Sequence, residues 1–488
     1  MRDRSGSVSV VGRLPVPAVA TGYEYAPVAT TPEGGSPSQS SLAAFPPQPA
    51  GEEPPPSPWR TTFTPQHQKA PAVRLRRILL PAAFALVAFT LFLLAPSFFP
   101  ALLFSPDPTR ICSASDWSGG TWVPKDPPLL PNATVIDVLA ASGFTGVTQD
   151  WFKPHWFLHS KAGDFLNMDE YRWHAAQWRW EAGTETCRAE VRPSRADELL
   201  QELVTRGGWV ILGDSLAEQH FFSLGCVLFP HVYVVWGAGW WEQHMYLKPD
   251  AAILSGLDLP ASFNVATTPL ISNLRTDHGF TKPELISIYE ATPQSAETPV
   301  SQLFTDYPVQ SPPINEYLAR FFEPEHNYHA LVFSTAAHFT PREFAFPAGQ
   351  PAIAPFYEAV VRRWVTVARA ALDDDAGGTR EIIVRGASSG HDECHARLAG
   401  PLNATETPRQ ESYNWGEIAR YNDVFEGIVA EANHSRLSYL ALERPSQLRP
   451  DAHSEDCLHF AVGTGVFEGW TDYIAYFLRS RRTVATGP

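Results

Sequence analysis

Residues 209–216 read Trp-Val-Ile-Leu-Gly-Asp-Ser-Leu. A short, continuous apolar run that stops at turn residues is the pattern of a strand buried on both faces. Gly213 permits a tight turn, and the segment after Ser215 is helix-like. A serine at the start of a helix holds its hydroxyl at the strand end. It also offers its own backbone N–H to an oxyanion. Near the far end of the chain, Asp456-Cys-Leu-His459 supplies a carboxylate and an imidazole. A serine hydroxyl is a poor nucleophile until an imidazole takes its proton, and the imidazole needs a carboxylate to fix its tautomer. Ser215, His459 and Asp456 are therefore the candidate nucleophile, base and orienter.

Outward from this stretch, further apolar runs at 232–236, 330–333 and 381–384 predict buried strands. Helices are predicted at 356–372, from Val360, Val361, Trp364, Val365 and Val367, and at 418–432, from Ile418, Tyr421, Phe425, Ile428 and Val429. A last helix is predicted at 467–478. Strands alternating with helices give an α/β fold with three α/β/α layers around a mainly parallel sheet. Such sheets hold ligands at the carboxyl ends of their strands, which is where Ser215 falls. Residues 250–325 are Pro-rich and irregular and carry no assignable pattern, and no internal repeat is present.

The first 73 residues are rich in Pro, Ser, Gly, Ala and Thr without apolar periodicity, which predicts a disordered tail. Residues 78–104 carry no charge and are long enough to span a bilayer as one helix. Arg74, Arg76 and Arg77 precede them, so the positive-inside rule puts the tail in the cytoplasm. The expected protein is a single-pass type II membrane protein of the Golgi or wider secretory path, with residues 105–488 as a lumenal catalytic domain. Sequons at Asn132, Asn403 and Asn433 fit that placement. The formal charge of −15, with no basic face to offset it, excludes nucleic acid as a partner. The cysteines are Cys112, Cys187, Cys226, Cys394 and Cys457, with no Cys-x-x-Cys pair, so a zinc ribbon or thioredoxin-like centre is not expected. An oxidising compartment would allow two disulfides and one spare thiol in any pairing.

Five blocks, in order, resemble the trichome-birefringence-like, or PC-esterase, branch of the SGNH (GDSL) hydrolases. Cys112 through Gly120-Thr-Trp122-Val123 is similar to the family's opening block, and Tyr171-Arg-Trp with Trp178-Arg-Trp180 and Cys187 to its second. Gly213-Asp-Ser-Leu216 with Cys226 follows, then Arg385-Gly-Ala-Ser388-Ser-Gly-His391, then Arg449-Pro-Asp451-Ala-His453 running into Asp456-Cys-Leu-His459. The likeness spans roughly 112–480. It implies acyl transfer through Ser215, with His459 as base and Asp456 as orienter. It also implies an O-acetyltransferase acting on hydroxyls of a glycan or polysaccharide acceptor, with no bound cofactor and no metal. The acetyl donor, acetyl-CoA or an acyl carrier, is unspecified. A single span gives acetyl-CoA no route across a membrane, so a separate donor transporter is an expected partner.

Two departures stand out. Plant-type members have Arg-Asn-Gln after the Gly-Asp-Ser-Leu block and one further residue; here Glu218-Gln-His220 stand there. The family's Asn-Thr-Gly-His-Trp appears as Ser334-Thr-Ala-Ala-His338-Phe339, one residue longer, which leaves a second oxyanion donor unidentified. Asp214, His338, Arg385, His391 and His453 are the candidate substrate-binding residues. His391, Cys394 and His395 suggest a metal, but the spacing matches no zinc pattern and a fourth ligand is missing. Asp373-Asp-Asp375 resembles a glycosyltransferase metal motif, yet it follows a helix and precedes Gly377-Gly378, as a solvated helix end does. The rival activities are a carbohydrate acetyl esterase using the same triad, an inactive glycan-binding membrane protein, and a glycosyltransferase.

Overall fold

The 209–216 stretch forms a strand and the helix that follows it, at the centre of a seven-stranded sheet. The computed structural model describes residues 111–130, 132–144, 173–237, 241–346, 349–375, 377–409, 413–454 and 456–485. The expected tail at 1–73 and span at 78–104 lie outside them. Among the described residues, no helix is long and apolar enough to cross a membrane.

Nine strands are described: β1 Thr121–Pro124, β2 Trp178–Glu181, β3 Gly208–Gly213, β4 Val232–Trp236, β5 Glu242–Leu247, β6 Ile271–Arg275, β7 Tyr328–Ser334, β8 Glu381–Arg385 and β9 Leu437–Leu440. The helices that matter here are α1 Ala196–Arg206, α2 Ser215–Val227, α3 Lys282–Glu290, α4 Ile314–Phe322, α5 Gln350–Asp374, α6 Ile418–Ala432 and α7 Val466–Ala485. The large sheet has the order β4-β5-β6-β3-β7-β8-β9. From β6 to β9 all neighbours are parallel, while β5 and β4 add an antiparallel edge. β1 and β2 form a separate antiparallel pair.

Successive side chains of a strand point to opposite faces, and here both faces are covered. Trp209, Ile211, Ala330, Val332 and Ile383 pack with apolar residues of α1, α2 and α7. Val210, Leu212, Leu331, Phe333, Ile382 and Val384 pack with α3, α4, α5 and α6. Burial on both faces is why these strands read as unbroken apolar runs. Phe333 stacks on Trp364 of α5 at 4.2 Å between ring centroids.

Two expectations are corrected. The run at 232–236 is not a buried central strand: β4 is the antiparallel edge, with Val235 and Trp236 exposed. The stretch 250–325, unassignable in sequence, contains β6, α3 and α4. β6 was hidden because Ser272 and Asn273 interrupt its apolar residues. Both are fully buried and are held by side chains of β5, Ser272 by His244 at 2.7 Å and Asn273 by Gln243.

Gly213 ends β3 with φ +149°, paired to Arg275 on one side and Ser334 on the other. A Cβ there would collide with the Ser334 carbonyl oxygen. Gly213→Ala is expected to cost more than about 3 kcal/mol, from strained backbone plus the clash. Urea unfolding checks this, and an unchanged midpoint would remove the constraint.

Candidate active site

Asp214 precedes α2 as its N-cap, and its Oδ1 accepts the Leu216 N–H at 3.0 Å. The cap thus takes the Leu216 N–H and not that of Ser215, the first helical residue. Ser215 is 8% exposed, at the carboxyl end of the central strand. His459 comes from a loop between β9 and α7 that is closed by a bridge between His453 and Phe460. Ser454 N and Ala461 N tighten it through 2.7 Å bonds to the His459 and Ala452 carbonyls.

His459 Nε2 lies 2.6 Å from Ser215 Oγ, and its Nδ1 lies 2.8 Å from Asp456 Oδ2. With Nδ1–H donated to Asp456, Nε2 keeps a lone pair for the serine proton. The other oxygen of Asp456 accepts the Leu458 and His459 N–H groups at 2.9 and 2.8 Å. Partial burial pushes the Asp456 carboxyl up, but the His459 hydrogen bond and charge, with those N–H groups, outweigh it and hold it well below the usual carboxylate range. The carboxylate therefore stays ionised as the imidazole takes a proton.

The loop is braced from inside. Arg449 is fully buried and binds Asp451 through Nε and Nη2 at 2.8 and 3.0 Å. It also donates to the Thr464 carbonyl at 2.7 Å and to the Ala175 carbonyl, and stacks on Trp122 at 4.4 Å. A disulfide joins Cys394 to Cys457, between Asp456 and His459, and a second joins Cys112 to Cys187. Cys226 remains a buried thiol. Cys394, His395 and Cys457 come within 4.8 Å of one another, but both sulfurs belong to the disulfide and are not thiolate ligands. Among the described residues, no other grouping of that kind occurs.

Of the remaining candidates, Asp214, Arg385, His391 and His453 are buried and His338 is partly so. His391 Nδ1 and His453 Nε2 are 2.6 Å apart; His391 Nε2 donates to the Gln447 carbonyl at 2.8 Å, and His453 Nδ1 is 3.2 Å from the His459 carbonyl. Burial pushes both imidazoles down. Arg385, at the end of β8, stacks on Trp470 at 3.7 Å and donates to the Gly386 carbonyl at 3.1 Å; its Nη2 has no partner. Burial lowers its guanidinium to about 10 against the pull of Asp214 and Glu443, and burial raises Glu443 to about 7. His338 Nδ1 is 2.7 Å from Glu343, and its Nε2 is 3.5 Å from Asp277. Burial alone would lower this imidazole, but the two carboxylates raise it to about 9. Glu343, also 2.9 Å from His278, is held at about 2 by the two histidines despite its burial.

Sequence reasoning missed Arg275, Asp277, His278 and Glu343. The acid at position 218 does not leave the site without an arginine. Arg275 arrives from β6 instead, 3.0 Å from Glu218 and 2.9 Å from Asp277, and Gln243 donates to Glu218 at 2.8 Å. The signal was present, since 270–274 runs into Arg275-Thr-Asp-His-Gly279, a strand-to-turn punctuation like that at 212–215. Asp373–Asp375 lies at the opposite end of the sheet, before β8 begins. Asp373 pairs with Arg369 and His434, and Asp375 is held between Arg380 and Arg436 at 2.8 and 2.6 Å. The sequon residues Asn132, Asn403 and Asn433 are all exposed.

No family model matches the chain, and no curated protein matches it. Among solved structures, it is similar to the crystal structure of Axe2, an acetylxylan esterase from Geobacillus stearothermophilus. The identity is 11% over 55% of this chain and 93% of that one, with a TM-score of 0.26.

The His338 pair should make stability depend on pH. The folded chain holds the His338 proton to about 9 while the unfolded chain releases it near 6.5. Its contribution is complete below pH 6.5 and is lost as pH rises through 9, on the order of 3 kcal/mol. Glu343 acts oppositely: its contribution is complete above 4.5 and is lost as pH falls toward 2. The melting temperature is expected to fall between pH 6.5 and 9, and His338→Gln to flatten that slope; equal slopes would refute the pairing. Separately, the Cys394→Ser/Cys457→Ser double variant should lose ~2–4 kcal/mol in urea unfolding. Because Cys457 lies between the base and its orienter, any esterase turnover should fall mainly in kcat. An unchanged kcat would show that the loop holds without the disulfide.

Proposed function

We propose that the chain is a serine-dependent acyl-transfer enzyme acting on O-acetyl groups of glycans. The observation that carries this is the continuous run from Ser215 Oγ to His459 Nε2 at 2.6 Å and from His459 Nδ1 to Asp456 at 2.8 Å. Those contacts perform nucleophilic catalysis whatever acyl group is presented. The acetyl group and the glycan rest on the resemblance of the five sequence blocks to the trichome-birefringence-like family.

In the first step Ser215 Oγ attacks the acetyl carbonyl carbon and its proton passes to His459 Nε2. Negative charge collects on the carbonyl oxygen, toward the Ser215 N–H at the start of α2. The bond from the acyl carbon to the leaving oxygen or sulfur of the donor breaks as Nε2–H protonates that leaving atom, giving acetyl-Ser215. In the second step Nε2 takes a proton from an incoming hydroxyl, whose oxygen attacks the acyl carbon, and Ser215 recovers its hydrogen. A sugar hydroxyl makes the enzyme an O-acetyltransferase, the finer reading and the one the resemblance favours. Water makes it a carbohydrate acetyl esterase. Placement of this unit in the secretory lumen, with acetyl delivered by a separate transporter, belongs to the same proposal.

Of the two departures that support an inactive binding protein, Glu218 and Ala336/Ala337, the first is met by Arg275. The Asp373–Asp375 run is engaged by arginines away from Ser215, which gives a metal-dependent glycosyltransferase no site there.

The test uses the full chain with p-nitrophenyl acetate, with and without an oligosaccharide panel. An acetyl adduct on Ser215 is expected, absent from Ser215→Ala and discharged onto sugar; discharge to water alone makes the enzyme an esterase. Ser215→Ala and His459→Ala should each lose at least ~10³-fold in kcat, and Asp456→Asn ~10²–10⁴-fold. Turnover equal in Ser215→Ala and wild type would reject the proposal.

A further inference from the structure

Beside the catalytic loop lies an aromatic surface that the triad does not use. It is built by the segment between α3 and α4, which follows β6, and by loops that follow β7 and β8 at the carboxyl end of the sheet, the end that carries Ser215. Arg342 projects from the first loop. Its guanidinium lies 5.0 Å from the centroid of Tyr307 and 5.4 Å from that of Tyr413, and Nη1 donates to Tyr413 Oη at 2.6 Å. Tyr413 continues the platform, stacking on Trp415 at 5.8 Å and 20°. The loops are pinned together. Thr305 Oγ1 donates to the Arg342 carbonyl at 2.7 Å and accepts the Tyr307 N–H at 3.1 Å, and Asn414 Nδ2 donates to the Phe339 carbonyl at 2.7 Å.

Trp415 reaches the catalytic loop. A Cβ built on Gly390 would touch the Trp415 ring at 2.5 Å and the Cys457 carbonyl oxygen at 2.6 Å, so ring and carbonyl are neighbours across that glycine. Cys457 is the residue after Asp456. The Trp415 Nε1 is buried without a hydrogen-bond partner, while the Tyr413 ring is 37% exposed. A buried indole donor therefore borders an open tyrosine face a few residues from the triad.

The cation decides what this surface would take. Arg342 is exposed and forms no ion pair with any described carboxylate. Glu343, next in sequence, is turned inward to His278 and His338. In a chain of net charge −15, an exposed arginine without an acidic partner, held between two aromatic faces, is a preset anion-binding group. Its fork fits a planar carboxylate, and the tyrosine faces fit the apolar side of a sugar ring.

We infer that Tyr307, Arg342 and Tyr413, backed by the buried Trp415, form the acceptor subsite and that its ligand is a glycan bearing sugar carboxylates. This rests on the acyl-transfer reading for its place in catalysis, but its binding test does not. The carboxylate pairs with the Arg342 guanidinium, the ring lies on Tyr413, and the chain runs past Trp415 toward Cys457 and the acyl-serine.

The experiment is calorimetric titration of the full chain carrying Ser215→Ala, purified in detergent, with tetragalacturonate and with its fully methyl-esterified form. The two probes differ only in whether the carboxylates are free. At low salt the free acid is expected to bind at least fivefold tighter, and added salt should erode that difference. Arg342→Gln should remove the preference while leaving the methyl ester's affinity in place, which also shows that the variant is folded. Tyr413→Ala should weaken both ligands. Arg362→Gln, on the exposed face of α5, should change neither. Equal affinity for the two probes, no binding of either, or a preference that survives Arg342→Gln would overturn the inference. Those results are independent of p-nitrophenyl acetate turnover, so failure here leaves the triad reading standing, and loss of Ser215-dependent turnover leaves this subsite to be judged on binding alone.

Discussion

The buried pair of Arg449 and Asp451 is the contact on which the site depends. Ser215 opens the helix that follows the central strand and needs no special support beyond the fold. His459, 244 residues later, sits on a loop and must be delivered to it. Arg449 fixes the base of that loop with a two-point grip on Asp451, a bond to Thr464 on the far side of His459, and a bond to Ala175 near β2. An arginine with no exposure has lost its hydration, and such a charge is tolerable only with its donors satisfied. Here the carboxylate, two carbonyls and the Trp122 face meet that demand together. Removing one partner would leave an uncompensated buried charge, so the geometry is held by the cost of every alternative.

The same logic explains what sequence could show. β3, β7 and β8 were legible because burial on both faces forces an unbroken apolar run. The three residues that the structure brings together were legible because their motifs are local: a glycine, a cap and a serine at a strand end, and a carboxylate three residues before an imidazole. The helix at 418–432 was legible to its ends because its apolar stripe meets one face of the sheet. β4 misled because an apolar run on an edge strand looks like one in the core.

What stayed hidden is what hydrogen bonds decide. β5 and β6 are largely buried although they carry Glu242, Gln243, Ser272 and Asn273: Gln243 meets Glu218 of α2 and Asn273 of β6, Ser272 meets His244 of β5, and Glu242 meets His244 and Arg320 of α4. No pattern in one dimension announces such partners. Arg275 is of this kind: its strand end is legible, but its meeting with Glu218 on α2 is a fact of the fold. Disulfide pairing was open for the same reason, being a statement about distance and not about spacing.

The triad is unevenly sheltered, and this bears on the fate of an acyl-serine. Ser215 and the Arg449 brace are buried, but the Asp456 side chain is 57% exposed and His459 19%. Whether acetyl-Ser215 passes to a sugar or to water depends on which reaches His459 Nε2 first, and excluding water is a matter of what covers the loop. Among the described residues the Asp456 side chain is left more than half open. The cover would have to come with the substrate: a glycan lying across Tyr413 and Trp415 toward Cys457 would shield the carboxylate as it places its hydroxyl. On that view transfer and hydrolysis are outcomes of one site, and occupancy of the aromatic surface selects between them.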